Sequence, residues 1–333
     1  MFPYYRPIAQ TDRCRPDGAA PLAGGAIWFD RVERLSRSDG SDALSHDTVP
    51  PAVLDQLTAP RATIAGLDLA RPLLMGVVNV TPDSFSDGGV HFGADRAIAH
   101  GVALAKQGAR ILDIGGESTR PGAETVPVAE ECDRVLPVIR GLRAAGVSTP
   151  ISIDTRKAEV AAAALGAGAD IVNDVSALSY DADMISVLIN SAAPVCVMHA
   201  QGDPKTMQAN PVYDDVLLDV YDYLASRVAF AEGHGIDKSR IMVDPGIGFG
   251  KTKDHNLALI RGLSLFHGLG CPVLLGVSRK RFIGTIGDAP EARDRAPGSI
   301  AIGLEGFRQG VQILRVHDVD ESRQAQALWQ AIL

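Results

Sequence analysis

Eight short runs of nearly continuous apolar residues, each followed by a longer segment of helical periodicity, constrain this chain more than any other feature. In order they are "PLLMGVVNV", "ARILDI", "PISID", "DIVNDV", "APVCVM", "RIMVD", "CPVLLGVS" and "VQILRV". A strand that is apolar at consecutive positions buries both of its faces, as strands do in a parallel sheet covered by helices. The intervening segments read as helices over 94–107, 128–143, 156–165, 213–232 and 253–266, several of them followed by a glycine able to cap the helix end. In the long one, "YDDVLLDVYDYLASRVAF", Val216, Leu217, Val220, Leu224 and Val228 make one apolar stripe, fit to lie on a barrel wall. Eight repeats in strict alternation predict a (β/α)₈ barrel, the TIM barrel, over a doubly wound sheet.

The pattern begins near Ala62. Residues 1–61 are rich in Pro, Gly, Ser, Asp and Arg, with two patterned pieces, "GGAIWFDRVERL" and "PPAVLDQLTAP", each expected as a brief helix or turn. The division is therefore an accessory N-terminal extension over 1–61, partly ordered, and a barrel over 62–333. Between them, "ATIAGLDLARP" has the turn chemistry of a short hairpin that would plug the bottom of the barrel.

Composition narrows the partners. With 32 basic and 40 acidic residues the net charge is -8, and no basic stripe tracks a phosphate backbone, so nucleic acid is excluded as an expected partner. Four scattered cysteines, Cys14, Cys132, Cys196 and Cys271, form no metal-spaced pair and read as reduced thiols. The N-terminus lacks the pattern of a signal peptide and no window is apolar enough for a membrane span, which sets the expectation of a cytoplasmic protein with no membrane partner.

In such a barrel the chemistry sits at the C-terminal ends of the strands. Those positions carry Asn79; Glu117, Thr119 and Arg120 in "GGESTRPG"; Asp154; Asn173 with Asp174; His199; Asp244; Ser278 with Arg279 and Lys280; and Arg315 with His317. One polar strand end is ordinarily a helix cap. Eight at one mouth point to a site. Asp154, Asn173 and Asp244 stand in an apolar surround where a carboxylate needs a ligand or a cation, which favours a flat heterocycle rich in N–H donors. Arg120, Lys280, Arg315 and His317 add positive charge suited to phosphate or pyrophosphate.

Three motifs give way to plainer readings. "DPGIGFGKT" is not a phosphate-cradling loop, because the required first glycine is Pro245. "NVT" at Asn79 matches a glycosylation pattern by coincidence. His199 has no partner at ligand spacing, so a hydrogen-bonded strand-end histidine is expected there.

Taken in order, "MGVVNVTPDSFSDGG", "DIGGESTRPGA", "SIDTRK", "IVNDVSA", "VMHAQG", "DPGIGFGKT", "GVSRKRFIG" and "RVHDV" resemble the dihydropteroate synthases, from about Leu73 to the C-terminus. The resemblance implies a (β/α)₈ fold and a transferase of folate biosynthesis, the target of sulfonamides. It implies that 4-aminobenzoate displaces diphosphate from 6-hydroxymethyl-7,8-dihydropterin diphosphate, with Mg²⁺ as cofactor and a homodimer as the assembly. By the same resemblance Asp154, Asn173, Met198, Asp244 and Lys280 would hold the pterin; Asn79, Thr119, Arg120, Arg315 and His317 the diphosphate, with Asn79 as the Mg²⁺ ligand; and Phe85, Pro121, Phe249 and Ser278 the aminobenzoate. Asp87, Lys280, Arg315 and His317 would be catalytic, Asp87 facing positive charge that develops on the reacting carbon. The alternatives are a methyltransferase using methyltetrahydrofolate on a similar pterin-cradling barrel, which has no need of a diphosphate clamp, and a pterin-binding paralogue without catalysis.

Overall fold

A computed structural model describes residues 3–38, 40–80, 90–118, 124–202 and 206–333, for 90–92 the helical backbone alone. The extension contributes strands β1 (Tyr4–Pro7), β2 (Ala20–Pro21), β3 (Trp28–Phe29), β4 (Arg31–Ser36) and β5 (Gly40–Ser45), then helix α1 (Pro51–Thr58). β4 lies between β1 and β5 in an antiparallel sheet, while β2 and β3 form a separate ribbon. The piece "GGAIWFDRVERL", expected as a helix or turn, is therefore strand. Long-range pairing decides it: Val32 is buried between charged neighbours on a strand hydrogen-bonded along both edges. "PPAVLDQLTAP" is the expected helix, with Pro51 in its first turn.

The described part of the extension packs on the barrel. Leu22, Phe29, Val32, Val49 and Leu57 join the same apolar cluster as the barrel wall. Polar ties add to this. Arg37 pairs with Asp219 at 2.6 Å and Asp222 at 2.9 Å, and the Tyr4 hydroxyl donates to Asp222. Arg61, almost wholly buried, donates to the carbonyls of Gln56 in α1, of Ala59 just after it and of His267 on the barrel.

The barrel strands and helices alternate as β6 (Leu73–Asn79), α2 (Val90–Gln107), β7 (Ile111–Gly115), α3 (Val128–Ala144), β8 (Ile151–Asp154), α4 (Ala158–Ala167), β9 (Ile171–Asp174), α5 (Met184–Ser191), β10 (Val195–Met198), α6 (Val216–Gly233), β11 (Ile241–Asp244), α7 (Lys253–Arg261), β12 (Leu274–Gly276), α8 (Arg281–Ile286), α9 (Ala296–Arg308), β13 (Ile313–Val316) and α10 (Val319–Ile332). The strands are parallel in the order β11-β10-β9-β8-β7-β6-β13-β12, and a bridge between Val243 and Val273 closes the ring. All eight apolar runs are strands of this barrel. The predicted helix over 253–266 stops at Arg261, and a 3₁₀ turn takes over from Leu263 to Leu269. On α6 the buried stripe is Val216, Leu218, Val220, Leu224 and Val228; Leu217 turns aside to lie over Gly262.

Alternation along the strands splits the core in two. Outward residues such as Leu74, Leu112, Ile153, Val172, Val197, Val243 and Leu314 pack under the helices. Inward residues Leu73, Met75, Ile111, Ile171, Cys196, Met242, Leu274 and Ile313 fill the lower barrel together with Ile64, Leu67 and Leu69. Ile64 and Leu67 exchange both backbone hydrogen bonds across a two-residue turn, so the segment before the first barrel strand is the expected plug. Among the described residues no helix is long and apolar enough to cross a membrane.

Candidate active site

Because strand side chains alternate, the residues two positions beyond the lower inward layer also point inward, one step nearer the mouth. Beyond Ile111, Ile171, Met242 and Ile313 these are Asp113, Asn173, Asp244 and Arg315. Asp154, register partner of Asn173, and Met198, partner of Asp244, stand at the same level. The sequence that makes these parallel strands apolar below thus places a polar group in the ring above on five of the eight, β7, β8, β9, β11 and β13.

Arg315 organises the ring. Its Nε is 2.6 Å from Asp113 and its Nη2 is 2.9 Å from Asp154, while the Asn173 amide donates to Asp113 at 3.3 Å. Burial on its own would lower the Arg315 pKa, but Asp113 and Asp154 hold it above the ordinary value. Asp154 moves the other way. Burial raises it to about 7 despite Arg315, and its Oδ1 is buried with no hydrogen-bond partner among the described residues. Asp244, raised by burial to about 6, accepts from the Gly246 N–H and feels the positive charges of Lys280, Lys251 and Arg315. A floor of two hard-to-ionise carboxylates, one with an orphaned oxygen, is built for a neutral partner that donates several N–H bonds.

Arg315, expected among the groups facing diphosphate, has its fork turned into the barrel and held by two carboxylates. The physical reason is that Asp113 and Asp154 cannot both stay ionised in the interior without a counter-ion. Asp113 is the residue that the sequence reading passed over. The signal was present: one carboxylate inside the apolar run "ILDIG", two positions above an inward isoleucine, has to sit inside the barrel.

Above the floor, the Lys280 ammonium lies 4.2 Å from the Phe249 ring centre, so the lysine and the aromatic ring form one shelf. After the adjacent strands β12 and β13, the Ser278 hydroxyl accepts the His317 backbone N–H and lies 2.9 Å from His317 Nδ1, which fixes that ring. Asn79 ends β6 on the inward register, half-buried. Arg279 and Asp174, also at strand ends, are structural. Arg279 forks onto Asp318, and Asp174 accepts from Ser176 and Leu178 to hold its own turn.

His199 is hydrogen-bonded, as expected, but to an unforeseen partner. Its Nδ1 is 2.8 Å from the buried Lys251 ammonium, which also donates to the Phe249 carbonyl at 3.0 Å. Burial drives His199 down to about 2 and Lys251 down to about 7, so the imidazole is neutral and accepts through Nδ1. The glycines of "DPGIGFGK" have their reason here: a Cβ on Gly246 would stand 1.8 Å from the His199 carbonyl oxygen, and one on Gly250 2.4 Å from that of Gln201. They permit two loops to touch rather than cradle a phosphate.

A second ionic cluster stands behind β7 and β8. Glu117 accepts from Arg156 at 3.0 Å, Lys157 at 2.6 Å and the Val126 N–H, and Lys157 also meets buried Glu131. Of the expected site residues, Phe85, Asp87, Thr119, Arg120 and Pro121 lie outside the described residues.

Among the described residues no three His, Cys, Asp or Glu groups cluster to hold a metal ion. Asn79 offers one hard oxygen. That donor set fits a Mg²⁺ held chiefly by substrate phosphate oxygens and not by a protein cage.

Residues 75–317 match the family pattern described as pterin binding enzyme. The chain is 48% identical over 273 residues to the dihydropteroate synthase of Neisseria meningitidis serogroup B and 44% identical over 267 residues to that of Escherichia coli K12, in each case covering 80% of this chain and 94% of the relative. Among solved structures, Xanthomonas albilineans dihydropteroate synthase with 4-aminobenzoic acid superposes with a TM-score of 0.77 at 47% identity. The same enzyme in complex with 7,8-dihydropteroate gives 0.74 at 44%, and both comparisons cover 82% of this chain and 98% of the other.

Proposed function

This chain belongs to the dihydropteroate synthase family, and from that premise we propose how its barrel mouth divides the work. The reaction condenses 6-hydroxymethyl-7,8-dihydropterin diphosphate with 4-aminobenzoate to give 7,8-dihydropteroate and diphosphate, a transferase step of folate biosynthesis. The single observation that carries the assignment of roles is the buried floor of Asp113, Asp154, Asn173 and Asp244 around Arg315, with Asp154 Oδ1 lacking a donor among the described residues. A pterin edge of amino and ring N–H groups supplies donors of that kind. Met198 and Lys280 would complete its pocket.

The aniline nitrogen of aminobenzoate is a weak nucleophile, so most of the rate comes from weakening the carbon–oxygen bond to the diphosphate. The electron pair of that bond leaves with the diphosphate, the nitrogen bonds the methylene carbon, and the nitrogen gives up one proton. The electron-rich pterin shares the positive charge left on the methylene, which makes the transition state dissociative. Asp87 is proposed to face that charge. Mg²⁺, when bound with the diphosphate through Asn79, supplies charge neutralisation on the leaving oxygens.

Arg315 has two roles in this reading. As counter-ion to Asp113 and Asp154 it keeps the floor polarised, and once pterin N–H groups share Asp154, its remaining N–H donors serve the diphosphate beside His317. Ser278 sets the His317 ring for that contact. Thr119 and Arg120 are proposed on the diphosphate side; Phe85, Pro121 and Phe249 on the aminobenzoate side. A homodimer, a cytoplasmic location and the lack of a nucleic-acid partner belong to the same proposal. The test is stoichiometry: with Mg²⁺ and the pterin diphosphate, purified protein is expected to release one diphosphate per dihydropteroate formed, and only when aminobenzoate is present.

A further inference from the structure

Lys251 is nearly inaccessible and no step above uses it. It sits where the segment after β10 meets the loop after β11, the two held in backbone contact at Gly246 and Gly250. Its three nearest acceptors are His199 Nδ1 at 2.8 Å, the Phe249 carbonyl at 3.0 Å and the His199 carbonyl at 3.4 Å. His199 is itself wedged, edge-on to Tyr223 with ring centres 4.9 Å apart, so it gives the lysine a fixed point. From that point a short chain of contacts runs to the mouth: His199 to Lys251, Lys251 to the Phe249 backbone, and the Phe249 ring to Lys280.

We propose that Lys251 is a positioning residue, which sets the Phe249 ring against the Lys280 ammonium and so fixes the shelf that receives aminobenzoate. It acts through Phe249, and the inference rests on the reading of Phe249 as an aminobenzoate contact. The rest of the loop has its own ties. Gly248 accepts from Gln208 and donates to Asn256, and the Gly250 carbonyl accepts from Tyr213. Removing the Lys251 ammonium therefore leaves the loop in place and frees the Phe249 segment within it.

The experiment compares steady-state kinetics of the full chain with Mg²⁺ and both substrates for Lys251→Met, His199→Phe, His199→Asn, Phe249→Ala and the double variant Lys251→Met/Phe249→Ala, with thermal melting of each. Lys251→Met is expected to raise KM for aminobenzoate about tenfold, the scale of one charge-assisted hydrogen bond, with KM for the pterin diphosphate changed less than about threefold. His199→Phe keeps the ring and loses the acceptor, so it follows Lys251→Met; His199→Asn keeps an acceptor and recovers part of the loss. In the Phe249→Ala background, Lys251→Met adds less than about twofold. An equal rise in both KM values tracking a lowered melting temperature, or a full Lys251→Met effect without Phe249, overturns the proposal. If Phe249→Ala leaves the aminobenzoate KM unchanged, the shelf reading itself falls and takes the proposal with it. If Lys251→Met does not fold, the two His199 variants decide: indistinguishable aminobenzoate KM values for Phe and Asn overturn it.

Discussion

Arg315 and Asp113, on strands β13 and β7, are joined at 2.6 Å inside the barrel although 202 positions separate them in the chain. Asp113 has no exposed surface, so Arg315 is the cation that makes its charge tolerable there. Asp113→Ala removes one partner and leaves a guanidinium bonded to Asp154 alone. The expected loss is about 3 kcal/mol of stability, read by denaturant unfolding, together with a rise in KM for the pterin diphosphate. A variant as stable as the wild type refutes the counter-ion account.

Pterin affinity is expected to rise with pH between about 5 and 7.5. Burial raises Asp244 to about 6 and Asp154 to about 7 in the unliganded protein. N–H donors on the pterin favour the ionised carboxylates, so binding releases protons wherever these groups are still protonated. Calorimetry with 6-hydroxymethylpterin in buffers of different ionisation enthalpy measures that release. Affinity independent of pH contradicts the assignment.

The same shifts act on stability with the opposite sign. An acid whose folded pKa lies above its unfolded value of about 3.9 binds more protons when folded, so its contribution falls as pH rises through that window. Buried His199 and His267, held down to about 2 and about 3, oppose this, because unfolding lets them take up protons below about 6.5. The comparison of Asp244→Asn with wild type isolates the aspartate. The melting temperature of the variant relative to wild type should climb between about pH 4 and pH 6 and level off above. A constant difference across that range is the contrary result.

The barrel was legible in the sequence because a parallel strand buried on both faces leaves a run of apolar residues that no solvent-facing element needs. The mouth was legible where a polar residue stood at the end of such a run, as with Asp154, Asn173 and Asp244. Asp113 was missed because it lies before the strand end, and only the inward register, not the boundary, reveals it. Lys251 was hidden by its resemblance to a phosphate-loop lysine; besides the neighbouring Phe249 carbonyl its acceptors belong to His199, 52 residues earlier, and sequence patterns carry no such pairing. The extension was misread at Trp28–Phe29 and Arg31–Ser36 for the same reason, since those strands exist by pairing with distant partners.

Removing the extension's anchors should rank by burial. Arg61 is buried and holds α1 to the barrel through three carbonyl acceptors, so Arg61→Ala is expected to cost about 2–4 kcal/mol. Arg37 pairs with Asp219 and Asp222 nearer the surface, and Arg37→Ala is expected to cost about 1 kcal/mol or less. Urea unfolding of the two variants orders them; the reverse order would show that the surface pairs carry the attachment.

The central claim is that the buried carboxylates of the mouth recognise the pterin for the condensation. Asp154→Asn tests it with little change in shape, with folding checked by melting and with aminobenzoate-dependent diphosphate release measured over a range of pterin diphosphate concentrations. A loss of about a hundredfold in kcat/KM for the pterin diphosphate is predicted, the scale of a lost hydrogen bond to a buried charge. A folded variant that retains the wild-type kcat/KM would contradict the account.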